Sequence, residues 1–210
     1  DKTDIVIKPA YKGIPVTAIK ERAFENSDIV SITIPDSVIS IGDYAFVYCN
    51  RLTGITIPNG VTVIGQGIFG LSGLTSITIP NSVTSITYDA FFGCYRLAEV
   101  YNLSSLNITK GSSNNGFVGY YALDVYADKN APSKLTREND FVVHTDGNVK
   151  TGVGYYGDKT EITIPGEITK IGKGAFYNFS DLTSITIPNS VTSIEDDAFR
   201  ACYRLAEVYN

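Results

Sequence analysis

The sequence of 210 residues contains no methionine, no tryptophan and only one histidine. Its apolar runs are a few residues long, whereas a transmembrane helix requires about 20 consecutive apolar residues. No basic stretch precedes an apolar one at the N-terminus, so no targeting signal is recognisable. Because an initiator methionine is missing, we expect the chain to be a processed or excised piece of a longer protein.

Basic residues are scarce and scattered. Lysine and arginine number 17 against 22 acidic residues, the net charge is -5, and no basic cluster exceeds two residues. Proteins that bind nucleic acids or anionic membranes usually present a dense basic surface. The composition therefore argues against both functions, while 43% hydrophobic residues suffice for the core of one or two domains.

Residues suited to catalysis or metal binding are also few. His144 lies near Asp146 and Gly147, which indicate a tight turn between two strands, so we predict an exposed hairpin residue. There is no histidine pair or close cysteine pair for zinc, and the glycine-rich residues 111–119 lack the Lys-Ser/Thr ending of a phosphate loop. We therefore predict no catalytic residue, no cofactor and no metal site.

A tetrapeptide repeat organises the chain. Ile-Thr-Ile-Pro occurs five times, at residues 32–35, 55–58, 77–80, 162–165 and 185–188. Positions equivalent to its first isoleucine recur mostly every 22 or 23 residues, at Ile5, Ile32, Ile55, Ile77, Val100, Leu123, Ile162, Ile185 and Val208. Such a period is typical of a solenoid, in which each repeat forms one coil.

A longer duplication is superimposed on the coils. Residues 74–102 and 182–210 match at 25 of 29 positions with an offset of 108. The four differences are Thr87/Glu195, Tyr88/Asp196, Phe92/Arg200 and Gly93/Ala201. We infer that a block of four coils has been duplicated, and we expect further coils in the parent protein.

Each coil follows the same physical pattern. The Ile-x-Ile alternation predicts a short strand with two inward side chains, and the following proline ends that strand. Residues 42–46, with counterparts at 172–176 and 195–199, suit a single helical turn that places alanine and phenylalanine beneath the strand. Stacked coils then form a parallel ladder with strands about 4.8 Å apart.

The three cysteines occupy one position of the repeat. Cys49 and Cys94 are two coils apart, or about 10 Å at that strand spacing, whereas a disulfide requires Cα atoms within about 7 Å. We therefore predict that both of them, and Cys202, are buried structural thiols.

The repeat unit, written IxIPxxVxxIxxxAFxxCxxLxx, resembles the BspA-like class of leucine-rich repeat. Pro35, Ala45, Phe46, Cys49 and Leu52 carry the motif in one coil. The resemblance implies an α/β solenoid: a right-handed leucine-rich-repeat superhelix with short parallel strands and single helical turns. It also implies a non-enzymatic, secreted or surface-anchored bacterial protein that adheres to host or extracellular-matrix proteins.

The resemblance covers nearly the whole chain. We expect one leucine-rich-repeat domain over residues 1–210, with a first repeat block at 1–102 and a second at 161–210. Between them, residues 103–160 form a degenerate coil and a β-hairpin insertion near residues 140–157.

Outward strand positions provide a candidate binding surface. They form a stripe of serine and threonine hydroxyls, interrupted by tyrosines that are more often binding hot spots than the small hydroxyls are. Tyrosines around the insertion add an aromatic patch. The candidate residues are Thr33, Thr56, Thr78, Glu99, Tyr101, Asp124, Tyr120, Tyr121, Tyr155, Tyr156, Thr163, Thr186 and Tyr209.

Three functions stay open on the sequence alone. Protein binding is favoured, with a host or matrix protein or another cell surface as the partner. A passive spacer and a carbohydrate-binding module without catalysis are the alternatives. No nucleic acid partner and no membrane insertion are expected.

Overall fold

The computed structural model describes residues 3–210, which divide into two compact units, Asp1–Ala131 and Pro132–Asn210. We call them unit 1 and unit 2 and treat each separately. The described residues form 19 strands and no helix, and nothing among them is long and apolar enough to cross a membrane as a helix. The division into repeat blocks stays a prediction.

The strands of unit 1 are β1 (Asp4–Val6), β2 (Ala10–Tyr11), β3 (Ile14–Pro15), β4 (Ala18–Ile19), β5 (Ser31–Thr33), β6 (Ser40–Ile41), β7 (Val63–Ile64), β8 (Ser76–Ile79), β9 (Ser85–Ile86), β10 (Glu99–Asn102) and β11 (Asp124–Tyr126). Those of unit 2 are β12 (Leu135–Glu138), β13 (Phe141–Asp146), β14 (Val149–Tyr155), β15 (Glu161–Thr163), β16 (Lys170–Ile171), β17 (Ser184–Thr186), β18 (Ser193–Ile194) and β19 (Glu207–Tyr209).

Unit 1 is a stack of six coils. The coils pair in parallel through β1 with β5, through a Thr56–Thr78 bridge, and through β8 with β10 and β10 with β11. The registers place Ile5 opposite Ile32 and Ile77 opposite Val100, so the inward isoleucines and valines form continuous rows. Shorter ladders, β4 with β6 and β7 with β9, form a second wall.

One predicted register is wrong. The structure pairs Val100 with Val125 instead of Leu123, so Tyr126 stands beside Tyr101 on the outer face and Ala122 is buried. The coil between them is therefore 25 residues long and lacks the Ile-Pro pattern that fixes its neighbours. The aligned pair of β-branched valines and the pair of tyrosines, with ring centroids 5.0 Å apart, determine the register instead.

The predicted helical turns are also wrong. In residues 42–49, the N–H groups of Tyr44, Phe46 and Tyr48 donate to carbonyls of the next coil at 2.8, 2.8 and 3.0 Å, while the N–H groups between them close β-turns. Tyr44 and Tyr48 have φ values of 57° and 60°, in the left-handed region, which a right-handed helix does not visit. A helix would forfeit these bonds between coils.

The same arrangement recurs along unit 1 and creates a continuous edge. Positive φ values four residues apart recur in neighbouring coils, at Arg22 and Asn26 and again at Gly67 and Leu71. We call this edge the turn edge of unit 1; it consists of residues 20–27, 42–49, 65–72, 87–94 and 115–121.

A column of phenylalanine rings fills the core behind the turn edge. Ring centroids are 5.2 Å apart for Phe24 and Phe46, 5.7 Å for Phe46 and Phe69, and 5.1 Å for Phe69 and Phe91, with interplanar angles of 2°, 11° and 29°. The last three rings are fully buried. One phenylalanine per coil therefore joins the coils into a single hydrophobic core.

Unit 2 combines three coils with an antiparallel sheet. The coils pair in parallel through β15, β17 and β19. β13 and β14 form the predicted hairpin around Gly147, and β12 adds a third antiparallel strand that the sequence did not reveal. β14 also pairs in parallel with β16, which pairs with β18, so the hairpin continues the second wall of the coils.

The prediction of an exposed His144 is wrong. The side chain is buried, and its strand β13 lies between β12 and β14 in the antiparallel sheet. His144 lies opposite Leu135 on β12 and Thr151 on β14.

The cysteines connect neighbouring coils. The thiols of Cys49, Cys94 and Cys202 each donate to the carbonyl of a core phenylalanine in the preceding coil, at 3.0, 2.8 and 3.1 Å. Cys49 and Cys94 are buried thiols without a disulfide, as predicted, whereas Cys202 is half-buried. Cysteine thus combines a small apolar side chain with a donor that satisfies a buried carbonyl.

We predict that Cys49 and Cys94 do not react with a thiol reagent in the native protein at pH 8. Burial raises the pKa of Cys49 to about 11 and that of Cys94 to about 12. The thiolate is the reactive form, so both groups are inaccessible and protonated. Because these values exceed those of unfolded thiols, their contribution to stability is complete below about pH 9 and declines as the pH rises toward 11.

Titration with a chromogenic disulfide reagent, with and without guanidinium, checks this prediction. Full reaction of all three cysteines is expected only in denaturant. Fast native labelling of Cys49 or Cys94, located by peptide mass spectrometry, would contradict it; half-buried Cys202 provides the internal comparison.

Candidate interaction surface

The outer strand face of unit 1 is a shallow hydroxyl surface. Thr33 and Thr56 are exposed and Thr78 is half-buried. A groove of about 330 Å³ passes over Gly54, between Ser31 and Ser76. Thr-rich strand faces have a sufficient explanation in strand propensity. This face therefore offers hydrogen-bonding groups but few large side chains.

The strand face ends at a pair of acidic residues and a pair of tyrosines. Tyr101 donates its hydroxyl to Glu99 at 3.0 Å, and Tyr126 donates to Asp124 at 3.2 Å. Glu99, predicted to lie on the binding surface, is completely buried, whereas Tyr101 and Asp124 are half-buried. The tyrosine rings pack against one another at 5.0 Å, which leaves little of this group for a partner.

Unit 2 contributes the other predicted surface residues. Thr163 and Tyr209 are exposed and Thr186 is half-buried, all in one row of β15, β17 and β19. The Tyr209 hydroxyl donates to Glu207 at 2.6 Å, and this hydrogen bond to a carboxylate raises the pKa of the tyrosine.

Tyr155, the last residue of β14, and Tyr156 differ in burial. Tyr155, predicted to be at the surface, is buried, and its ring packs on Phe141 at 5.0 Å and on Phe179 at 5.5 Å. Its pKa is raised by that burial. Tyr156 is half-buried, with the Arg137 guanidinium 5.8 Å from its ring centroid. The aromatic patch predicted around the insertion is therefore divided between core and surface.

The most prominent aromatic surface lies on the turn edge of unit 1 and includes the adjoining Tyr95. Six side chains form an unbroken series of ring contacts, which we call the aromatic cluster: Tyr88, Phe92, Tyr95, Phe117, Tyr120 and Tyr121. Tyr120 and Tyr121 were predicted from the sequence, whereas Tyr88, Phe92 and Phe117 were not. Phe117 is the centre, with ring centroids 5.2 Å from Tyr88, 5.6 Å from Phe92 and 5.6 Å from Tyr120.

The ring geometry of the cluster differs from that of the core. Its central contacts, together with that between Tyr120 and Tyr121, have interplanar angles of 72° to 88°, whereas the buried phenylalanine column is near parallel. Tyr88 is 76% exposed, Phe92 50% and Tyr120 39%. Near-perpendicular exposed rings present faces and edges together and leave notches between them.

The repeated sequence at residues 182–210 shows that Tyr88 and Phe92 are not required for folding the coil. At the positions of Tyr88 and Phe92, the second block has Asp196 and Arg200, while the surrounding residues are almost all identical. Asp196 and Arg200 are exposed on an equivalent turn in unit 2. The same coil therefore forms with charged residues there. This difference between copies is the sequence signal from which Tyr88 and Phe92 could have been identified.

A groove adjoins the cluster on the turn edge. It has a volume of about 390 Å³ and lies between the coil of Tyr44 and Tyr48 and the coil of Asp89 and Phe92. Gly70 and its neighbours form the floor, because the intervening coil has small residues where its neighbours have large ones. Tyr48, at the opposite wall from Phe92, is 45% exposed.

Acidic side chains surround this groove. The Arg22 guanidinium donates to both carboxylate oxygens of Glu25, at 2.8 and 3.0 Å, and lies 4.7 Å from the Tyr44 ring centroid. Glu21 and Asp89 add two more carboxylates nearby. The single arginine is thus already paired, and the groove has a net negative charge.

No metal-binding cluster accompanies these surfaces in the described part of the chain. Within residues 3–210, no cluster of three or more histidine, cysteine or acidic residues is close enough to hold a metal ion. A small cavity in unit 2 measures about 10 Å³ and is lined by apolar residues such as Phe141 and Phe176.

A family model described as a BspA type leucine-rich repeat region, with six copies, matches residues 15–116 and 155–209. The chain belongs to the BspA-type leucine-rich repeat family. The motif-based prediction is confirmed in this respect, as is the solenoid of coils of about 23 residues. The matched segments lie one in each unit, and the unmatched residues 117–154 include the hairpin.

Several solved structures, most of them of bacterial leucine-rich repeat proteins, are similar to this chain. A leucine-rich repeat protein from Bacteroides capillosus is 35% identical, with 48% of this chain and 77% of that chain covered and a TM-score of 0.44. A leucine rich cell surface protein from Faecalibacterium prausnitzii is 22% identical, with 100% and 70% covered and a TM-score of 0.41.

The pneumococcal vaccine antigen PcpA is 18% identical, with 95% of this chain and 44% of that chain covered and a TM-score of 0.40. No curated protein matches the chain. BspA-type repeats constitute a family of protein-interaction or surface modules that is generally non-enzymatic.

Proposed function

We propose that this chain is a protein-binding module of a bacterial cell-surface or secreted protein, which contributes to adhesion to host or matrix proteins through the turn edge of unit 1. The observation that carries the proposal is the exposed aromatic cluster. Interface hot spots are enriched in tyrosine and other large anchors that fill pockets of a partner. The hydroxyl-rich strand face offers no comparable group of large side chains.

The block comparison supports a binding role over a packing role. If Tyr88 and Phe92 were needed to stabilise the coil, the duplicated coil would require aromatic residues too, yet it has Asp196 and Arg200. Large apolar side chains exposed without a structural need commonly mark interaction sites. The candidate residues Tyr120 and Tyr121 belong to this surface, while Thr33, Thr56 and Thr78 define the competing strand face.

We expect the Tyr88→Asp, Phe92→Arg double variant to bind its partner at least tenfold more weakly. This variant copies the second block, so the coil should fold unchanged while two aromatic anchors are lost. Loss of hot-spot anchors typically costs about 2 kcal/mol or more in binding. Label-free binding to immobilised fibronectin, fibrinogen and collagen measures the effect, with circular dichroism as the check on folding.

The matched control introduces the same two charges on the strand face, as Thr33→Asp, Thr56→Arg. That variant should retain full binding. Equal loss in both variants would contradict the turn edge as the binding surface, and loss only in the control would assign binding to the strand face. A folded chain that binds none of these proteins in any form would favour a passive spacer, and binding only to a glycan array would favour a carbohydrate-binding module.

A further inference from the structure

We propose that the turn edge of unit 1 recognises an extended, proline-rich segment of a partner protein in the polyproline II conformation, with basic residues flanking the prolines. This inference rests on the proposed function and names the partner chemistry for the same surface. Polyproline II segments dock into grooves lined by aromatic rings, because the proline rings fill the notches and the chain is already extended before binding.

The spacing of exposed aromatic rings fits this conformation. Tyr48 and Phe92 belong to coils two steps apart, and backbone hydrogen bonds of 3.0 Å and 2.8 Å join each of these coils to the one between them. Hydrogen-bonded backbones lie about 4.8 Å apart, so two steps span about 10 Å. A polyproline II helix has three residues per turn and a rise of about 3.1 Å, so its side chains repeat every 9 Å or so.

A third exposed ring, Tyr120, lies close to Phe92. Phe117 lies between Phe92 and Tyr120 with ring centroids 5.6 Å from each, so Phe92 and Tyr120 are separated by at most about 11 Å. Tyr48 and Phe92 are therefore about one polyproline II turn apart along the coil stack, and Tyr120 lies within about 11 Å of Phe92. A segment of about seven residues, or 22 Å, reaches all three.

The negative charge of the groove favours basic residues on either side of the prolines. Glu21, Glu25 and Asp89 lie around it, and the one arginine, Arg22, is engaged with Glu25. Basic residues next to the prolines therefore gain favourable contacts, and exposed aromatic faces add cation–π attraction. An acidic segment would meet repulsion at the same positions.

The test uses the full chain and a synthetic peptide of ten prolines with an arginine at each end. Amide chemical shifts measured by NMR during titration locate the site and yield the affinity. We expect this peptide to bind at least tenfold more tightly than a Gly-Ser peptide of equal length with the same arginines. The shifts should include Gly70, Leu71 and Phe92. A four-proline peptide, which is too short for three rings, should bind at least fivefold more weakly than the ten-proline peptide.

Two variants test the ring series and its charge. Tyr48→Gly removes one ring at a position of positive φ, where the corresponding residue two coils later is Gly93, so the fold is preserved. This substitution should lower the affinity for the ten-proline peptide at least fivefold. Glu25→Gln should reduce the preference for arginine over glutamate flanks at least threefold. Equal affinity for the Gly-Ser peptide, or an unchanged affinity in Tyr48→Gly, would overturn the inference.

Failure of this inference can be separated from failure of the proposed function. If the chain binds a matrix protein through the aromatic cluster but does not bind the proline peptide, the proline-rich partner is overturned and the proposed function stands. If a soluble oligosaccharide shifts the same amides and the proline peptide does not, the site takes glycans. If Tyr88→Asp, Phe92→Arg changes no binding at all, both proposals are overturned.

Discussion

Replacing Phe69 with alanine is expected to lower the free energy of unfolding of unit 1 by about 3 to 5 kcal/mol. Phe69 is fully buried, and its ring stacks between Phe46 at 5.7 Å and Phe91 at 5.1 Å. Truncation removes contacts to both neighbouring coils and leaves a cavity in the middle of the column. Because a solenoid is stabilised by contacts between adjacent coils, the loss weakens the stack on both sides.

Urea unfolding monitored by circular dichroism measures this effect, and hydrogen exchange shows where it occurs. Amides in the two coils next to Phe69 should lose protection most, while those of unit 2 serve as an internal reference. The control is Phe24→Ala, at the end of the column, where the half-buried ring has one stacking neighbour and should cost clearly less. An equal loss in the free energy of unfolding for both variants would show that the column does not act as a shared core.

Replacing Gly73 with alanine is expected to destabilise unit 1 by about 1 to 3 kcal/mol, although only one methyl group is added. A Cβ at this position would lie 2.1 Å from the backbone oxygen of Asn50. The Gly73 N–H also donates to the carbonyl of Cys49 at 3.0 Å, which holds the two coils at this separation. The backbone must therefore move to accept the methyl group.

Gly54→Ala is the matched control for this change. A Cβ at Gly54 meets no atom within 4 Å, so its effect should stay within about 0.5 kcal/mol. Thermal and urea unfolding of both variants gives the comparison. A cost for Gly73→Ala as small as that of the control would mean that the coils separate easily at this point.

Much of the fold follows from the sequence because the strand positions are over-determined. In most coils an alternating Ile-x-Ile, a proline at the strand end and a fixed spacing agree, and residues such as Ile32 and Ile77 then lie where the motif predicts. Where these signals vanish, the prediction fails. After Val100, no proline or Ala-Phe pair marks the coil, and Leu123 was chosen in place of Val125.

The prediction of helical turns was wrong for a different reason. Their sequence, with alanine and phenylalanine three or four residues after glycine, is compatible with a helical turn when judged locally. The deciding contacts are hydrogen bonds from Tyr44, Phe46 and Tyr48 to a neighbouring coil about 22 residues away. Local propensity contains no information about such bonds, so the choice between turns and helix is made by the stacked structure.

The surface prediction was limited in the same way. Alternation along a strand correctly placed Thr33 and Thr56 outside, but it cannot show what covers a side chain from above. Glu99 is buried on the outer face, and Tyr155 is turned into the core of unit 2 by the aromatic residues around it. The aromatic cluster depends on rings from two coils, and the sequence offered only one unused signal for it, the divergence of Tyr88 and Phe92 between the two copies.

The bonding of alternate turn amides between coils has a mechanical consequence for unit 1. Tension along the stack loads these few bonds one coil at a time, because each coil is attached only to its neighbours. A coil that detaches lengthens from about 5 Å to as much as about 75 Å, the contour length of 22 or so extended residues. Under fluid shear, the coils of such a unit would unfold one after another. The unit would lengthen in steps while the remaining coils stay folded.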